Sequence, residues 1–305
     1  AHSLGAMHLM RRAIQILRAK GYVISDDELE AASLAILLHD CGHGPFSHTL
    51  ENSIVKGITH EEISLEIMKN FNALSNGQLD MAIDIFTDRY PKHFLNKLIS
   101  SQLDVDRLDY LKRDSFFTGV AEGNVNAERL LDMMEVVDNG LAIEAKGIYS
   151  VESFLVARRI MYWQVYMHKT VLSAEYTLMK ILQRAKLINQ QRTIPATPAL
   201  SFFLKNQLDF NDIPDKKLAL EQFCKLDDFD VMTAVKMWCD DEDRVLSELC
   251  KRLTSRHLFK IEMQDDEFDP NYIEEIKQRI MRYYGWSADE ADYMLLHGVS
   301  SNHAY

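Results

Sequence analysis

The sequence predicts an all-α protein with one small β-hairpin, and three observations carry that expectation. Apolar residues recur at helical spacing, as in Met7, Met10, Ile14 and Leu17. Helix-opening signals recur too, among them the capping box Ser25-Asp26-Asp27-Glu28. Between Gly147 and Pro195 there is neither glycine nor proline, and the composition favours helix throughout.

Taken in order, the first helix runs to Lys20, with His2 at its start and Gly21 as its cap. The second opens at Ser25 and continues through the apolar run Ala31 to Leu38 into His39-Asp40, where Gly42, Gly44 and Pro45 stop it abruptly. Further helices are expected at about 48–55, 60–72, 78–87, 92–102 and 104–114, separated by short Gly, Asn or Pro signals. The segments Leu141-Ala142-Ile143-Glu144 and Ile148-Tyr149, around Ala145-Lys146-Gly147, read as the hairpin. From Gly147 to Pro195 the longest helical region follows. Shorter amphipathic pieces are expected near about 199–207, 216–223, 228–238, 242–254, 270–284 and 287–296. The polar run Asn189 to Thr193 and the prolines Pro195 and Pro198 mark a division into a core, 1–190, and a C-terminal helical region, 191–305.

Composition narrows the function. A chain of 305 residues that is 47% hydrophobic can bury a large core. No apolar run approaches the roughly 20 residues needed to cross a bilayer, and no cationic segment leads into an apolar stretch at the start, so the expectation is a soluble, cytoplasmic protein. Cys41, Cys224, Cys239 and Cys250 form no CxxC and read as free thiols. A net charge of −12 argues against strong nucleic-acid binding, and an anionic small substrate would need a private cationic pocket. The acidic run Glu262 to Asp269 reads as a solvated loop.

The chemistry concentrates in His39-Asp40-Cys41-Gly42-His43-Gly44-Pro45-Phe46-Ser47-His48. Neighbours on a helix diverge by about 100°, so His39 and Asp40 converge on one ion only where the chain is leaving helical geometry. The glycines and the proline supply that break. A lone His-Asp pair would read as a hydrogen-bonded pair inside a core. Here His2 and Asp106 accompany it, and imidazole with carboxylate suits a borderline divalent metal. On the helix from Asp106, the residues Asp106, Tyr110 and Asp114 form a polar stripe, and Val105, Leu108 and Leu111 an apolar one. Arg158, Tyr162, Tyr166 and Lys169 fall near one stripe of the long helix.

The order His2, His39-Asp40, Asp106 resembles the HD-domain metal-dependent phosphohydrolases, whose metal is held by a His, a His-Asp doublet and a distant Asp. With Thr59-His60-Glu61, Asp104-Val105-Asp106-Arg107-Leu108-Asp109-Tyr110 and Tyr166-Met167-His168-Lys169, the chain looks like the deoxynucleoside triphosphate triphosphohydrolase branch, which includes the vertebrate SAM-and-HD-domain enzymes. The resemblance covers roughly residues 2–180. It implies an HD-domain helical bundle and one divalent ion (Mn, Fe, Zn, Ni or Mg) on His2, His39, Asp40 and Asp106, with an additional Mg accompanying the substrate. It places His43, His48 and His60 beside the scissile phosphate, with Glu51 orienting one of them. It assigns Arg107 to phosphate, Tyr110 and Asp114 to the sugar, Arg158 to the terminal phosphate and Tyr166 to the base or sugar. Glu51 stands where the vertebrate enzymes have aspartate, and Arg107 where they have lysine.

The implied activity is hydrolysis of a dNTP to a deoxynucleoside and tripolyphosphate by a homo-oligomer. The alternatives are an HD phosphohydrolase for another nucleotide (a monophosphate, a cyclic or an alarmone species) and a catalytically silent HD scaffold. A complete set of metal ligands argues against the scaffold, and the cations Arg107, Lys112, Arg158, Arg159 and Lys169 favour a polyphosphate. In the resembled family an arginine precedes the first histidine; with only Ala1 before His2, the expectation is a chain lacking an N-terminal segment.

Overall fold

The computed structural model describes residues 1–51, 53–206 and 209–297, with His48 and Glu51 described by their backbone alone. Helices dominate. The chain opens with α1 (His2–Ala19), α2 (Asp26–Leu38), α3 (His48–Glu51), α4 (His60–Leu74), α5 (Asp80–Phe86) and α6 (His93–Ile99). It continues with α7 (Val105–Thr118), α8 (Ala127–Asp132), the hairpin β1 (Met134–Val137) and β2 (Gly140–Ile143), α9 (Ile148–Met161) and α10 (Lys169–Ile188). It then forms α11 (Pro198–Lys205), α12 (Lys216–Phe223), α13 (Asp228–Trp238), α14 (Arg244–Thr254), α15 (Pro270–Tyr284) and α16 (Ala288–Ala291). No helix is long and apolar enough to cross a membrane among the described residues.

Backbone proximity divides the described residues into two compact units, one within 1–43 and 59–167, the other within 44–58 and 168–297. In the first, α1 buries Ala6, Met10, Ala13, Ile14 and Leu17 at helical spacing against α2 and α7. Helix α2 presents Ala31, Ala32 and Ala35, small residues that allow close helix approach, and buries Ile36 beside them. Its capping box forms as expected, with Ser25 Oγ accepting from Glu28 N–H at 3.1 Å and Glu28 Oε2 accepting from Ser25 N–H at 2.7 Å. The buried Glu28 carboxylate is balanced by Lys92 Nζ at 2.7 Å and the Tyr90 hydroxyl at 2.6 Å. Helix α7 is capped by Asp104 at its start and by Gly119, at φ 74°, at its end. It buries Val105, Leu108 and Leu111 completely and leaves Asp106, Tyr110 and Asp114 partly exposed along another face.

Two elements differ from the sequence expectation. The hairpin lies earlier, with Val137 paired to Gly140 and the turn at Asp138-Asn139, where φ is 49° and 63°. That left-handed pair is the two-residue turn whose twist suits a hairpin, and Asp138-Asn139-Gly140 is its composition. The expected turn at 145–147 is instead a short 3-10 segment leading into α9. The long helical region is also broken without glycine or proline. After α9 the chain winds into a π-helical turn, Tyr162–Tyr166, and the His168 side chain then caps α10 by accepting from Thr170 N–H at 3.2 Å.

In the second unit α10 packs on α14, α13 also packs on α14, and Trp238, fully buried, donates its indole N–H to the Pro195 carbonyl at 2.8 Å. Pro198 opens α11 at a position where its missing N–H costs nothing. Cys224, Cys239 and Cys250 in this unit and Cys41 in the first are free of disulfides.

Candidate metal centre

The centre is assembled from the first residue of α1, the C-terminal end of α2 and the first turn of α7. His39 caps α2, and its Nδ1 lies 2.7 Å from the Ile36 carbonyl, which can only accept. The ring therefore carries a proton on Nδ1 and turns Nε2 toward the centre. Beyond it the chain leaves helical geometry. His39 O accepts from Ser64 Oγ at 2.6 Å, and Ser64 Oγ in turn accepts from Gly42 N–H at 2.9 Å. A Cβ on Gly42 would lie 2.1 Å from the His60 carbonyl, so only glycine lets the start of α4 approach this turn.

His2 Nε2 lies 2.9 Å from Asp106 Oδ1 and 3.4 Å from Asp40 Oδ2. His39 Nε2 lies 3.2 Å from both Asp106 Oδ1 and Asp40 Oδ1. One donor atom from each of His2, His39, Asp40 and Asp106 falls within 4.8 Å of every other. Ligand atoms about 2.0–2.4 Å from a common ion cannot be farther apart than about that span, so the four fit a single divalent ion. The charges agree. Burial favours the protonated carboxyl of Asp106, but hydrogen bonds from His2 and His39 outweigh it and hold the group below the usual carboxylate range. At His2, burial favours the neutral ring and is outweighed by hydrogen bonds to Asp106, Asp109 and Asp40, which push the imidazole up to about 11.

Asp109 was not singled out by the sequence. Its Oδ2 accepts from His2 Nδ1 at 2.7 Å, while Arg113 Nε and Nη2 hold its two oxygens at 2.9 Å each. A Cβ on Gly5 would fall 1.9 Å from Asp109 Oδ1, so the glycine one turn into α1 is what admits this carboxylate. The sequence signal was present: Asp109 and Arg113 are an i,i+4 pair on the helix that carries Asp106. The carboxylate keeps the proton on Nδ1 and turns Nε2 toward the centre. Asp109→Asn should weaken metal affinity about 10–100-fold while leaving the fold intact, measured by chelator competition with a circular-dichroism control. Unchanged affinity would remove Asp109 from the centre's support.

The other residues named from sequence fall into four groups. His43 Nε2 is 3.6 Å from Asp40 Oδ1, and its ring stacks on His60 with centroids 4.0 Å apart. The side chains of His48 and Glu51 lie outside the described residues. Tyr110 packs edge-on against His2 at 6.5 Å and against Tyr166 at 6.2 Å, and the Tyr166 hydroxyl donates to Asp114 Oδ2 at 2.7 Å. Tyr162, from the π-helical turn, completes the aromatic wall 5.2 Å from Tyr166.

Of the cations, Arg107 turns inward and pairs with the buried Asp104. Arg158 is 3% exposed, bonds Gln102 Oε1 at 3.1 Å and has no carboxylate partner among the described residues. Both leave a buried Nε–H unbonded. Burial raises the Tyr110 pKa, and the positive charges of Arg107 and Arg158 act against it, which puts all three in one neighbourhood. Lys112 and Arg159 are exposed instead, so they add no charge to this pocket.

Residues 1–114 match the family model of the HD domain, and 125–194 that of the HD associated region. The fold is similar to the crystal structure of a phosphohydrolase from Bacteroides thetaiotaomicron VPI-5482, with a TM-score of 0.91 and 51% identity over 96% of this chain and 73% of that one. The uncharacterized protein YwfO of Bacillus subtilis is 36% identical over 88% of this chain and 61% of its own length. The deoxynucleoside triphosphate triphosphohydrolase SAMHD1 homolog of Dictyostelium discoideum is 26% identical over 58% of this chain and 38% of its own length. The chain thus spans less than two thirds of either of these two relatives.

Proposed function

The chain belongs to the HD-domain family, and from that premise we propose that it is a metal-dependent phosphohydrolase that splits a dNTP into a deoxynucleoside and tripolyphosphate. One observation carries the polyphosphate part of the reading. Arg158 is a buried cation without a carboxylate partner among the described residues, its Nε–H is unbonded, and its charge acts on Tyr110 together with that of Arg107. A buried charge left in that state needs a partner from outside the chain, and guanidinium matches a phosphate group.

In this reading His2, His39, Asp40 and Asp106 hold one divalent ion, which when bound supplies Lewis-acid polarisation of a phosphate oxygen and lowers the pKa of water. The remaining steps belong to side chains. His43, next to Asp40 and braced by its stack on His60, donates a proton to the leaving sugar oxygen. Tyr110, Tyr162 and Tyr166 line the nucleoside side, and the Asp114 carboxylate, already accepting from Tyr166, accepts a sugar hydroxyl. Arg158 and Arg107 pair the phosphates. The Dictyostelium relative carries the same activity in its name.

Product analysis tests the reading. The purified chain loaded with a divalent metal is expected to release tripolyphosphate and a deoxynucleoside from at least one dNTP, resolved by anion-exchange chromatography. Orthophosphate or pyrophosphate with a nucleotide product would point to a different nucleotide phosphohydrolase.

A further inference from the structure

Among the described residues, every arginine that is buried or half-buried pairs with a carboxylate except one. Arg18, Arg107, Arg113, Arg184, Arg192 and Arg252 each have an aspartate or glutamate. Arg158, the most deeply buried of the set, has a side-chain amide instead, with Gln102 Oε1 accepting from Nη1 at 3.1 Å. The edge that is used differs too. Arg113, Arg184 and Arg244 grip their carboxylates side-on, through Nε and Nη2 together. On Arg158 that edge has no partner among the described residues, and Gln102 takes the other nitrogen.

Gln102 is set in place by its own loop, between α6 and α7. The buried Asp104 carboxylate pins that loop by accepting from the backbone N–H groups of Ser101 and Arg107, at 2.8 Å each, and it also pairs with the Arg107 guanidinium. One loop thus fixes both cations, Arg107 through a charge and Arg158 through an amide. Gln102 is itself exposed, so it covers the buried guanidinium from the solvent side, the side from which a ligand arrives.

We infer that Gln102 is a positioning residue, which directs the Arg158 guanidinium through a neutral acceptor and so keeps its positive charge for a phosphate group. This rests on the assignment of Arg158 to phosphate under the proposed function, and adds the reason the cation stays available. An amide oxygen accepts a hydrogen bond without bringing charge. A carboxylate in its place would satisfy the cation internally, and a phosphate would then have to displace it.

Calorimetric titration of the metal-loaded full chain with magnesium tripolyphosphate tests the role of Gln102. Gln102→Met keeps the length and removes the acceptor, so affinity should fall about 2–10-fold. Gln102→Glu should cost at least about tenfold, because the new carboxylate pairs with Arg158. Repeating Gln102→Glu in the Arg158→Ala background separates pairing from plain repulsion of the anion. Pairing makes the penalty shrink there, whereas repulsion leaves the same fold loss in both backgrounds. With a dNTP the loss should fall on KM rather than kcat, since the reacting atoms are untouched. Product analysis reads the proposed function separately. Tripolyphosphate release together with unchanged affinity in Gln102→Glu would remove the role of Gln102 alone, and orthophosphate release with the expected order of affinities would remove the triphosphohydrolase reading alone. A wild type that does not bind tripolyphosphate, an equal Gln102→Glu penalty with and without Arg158, or a fall in kcat at unchanged KM would overturn the inference.

Discussion

Asp40→Ala is expected to strip the centre of its metal and reduce dNTP turnover by about 10³-fold or more, the scale of losing a metal-assisted pathway. The reason is position. Asp40 reaches His2 Nε2 at 3.4 Å, His39 Nε2 at 3.2 Å and His43 Nε2 at 3.6 Å, so its carboxylate links the metal set to the histidine proposed as proton donor. Its removal deletes one of the four ligands and one of the two negative charges among them, which weakens the hold on a divalent ion. Elemental analysis of the purified variant together with a dNTP assay checks both parts. Stoichiometric metal retained by Asp40→Ala would sink the ligand assignment.

The same carboxylates give the pH dependence of metal binding its sign. The His2 imidazole stands at about 11 in the metal-free centre, above the ordinary value of 6.5, so at neutral pH it holds a proton that an incoming cation must expel. Metal affinity should therefore rise with pH across roughly pH 6–8, with proton release visible by calorimetry in buffers of different ionisation enthalpy.

Where the sequence was legible, local chemistry and pattern agreed. The apolar stripe of α1, the box at Ser25 and Glu28, the glycine break after His39 and the two faces of α7 follow from periodicity and capping, and the structure has them all. Two backbone features were misplaced, for different reasons. The hairpin turn needed two residues at positive φ, and Asp138-Asn139 supplied them without the glycine that guided the expectation to 145–147. The break after Tyr166 carries no helix-breaking residue at all; a π-helical turn and a histidine cap end the segment, and neither leaves a compositional mark. Side-chain direction was the hardest quantity to read. Arg158 and Arg159 are adjacent and chemically equal, yet one is buried beside the aromatic wall and the other faces solvent. Asp109 escaped notice because the polar stripe through Asp106, Tyr110 and Asp114 excludes it, whereas its partner His2 comes from a helix more than a hundred residues away.

That contrast between neighbouring arginines makes Arg158→Ala the sharper test of substrate. If Arg158 pairs the far end of a triphosphate, its removal deletes one charge-assisted contact of roughly 1.5–3 kcal/mol, equivalent to about 10–100-fold in kcat/KM. A nucleoside monophosphate has no group at that end, so any hydrolysis of it should change little. Arg158→Lys should recover only part of the loss, because an ammonium cannot reproduce the planar fork that also holds Gln102 Oε1 at 3.1 Å. Arg159→Ala is the control: it removes the same charge one residue away from an exposed position and should leave kcat/KM for the triphosphate unchanged. Stability separates the two further. Removing a buried, unpaired guanidinium takes away a desolvation cost, so the melting temperature of Arg158→Ala without nucleotide should hold or rise even as turnover falls. Equal losses on mono- and triphosphates, or a loss of turnover that tracks a fall in melting temperature, would make Arg158 a structural cation and leave the chain-length reading without its anchor.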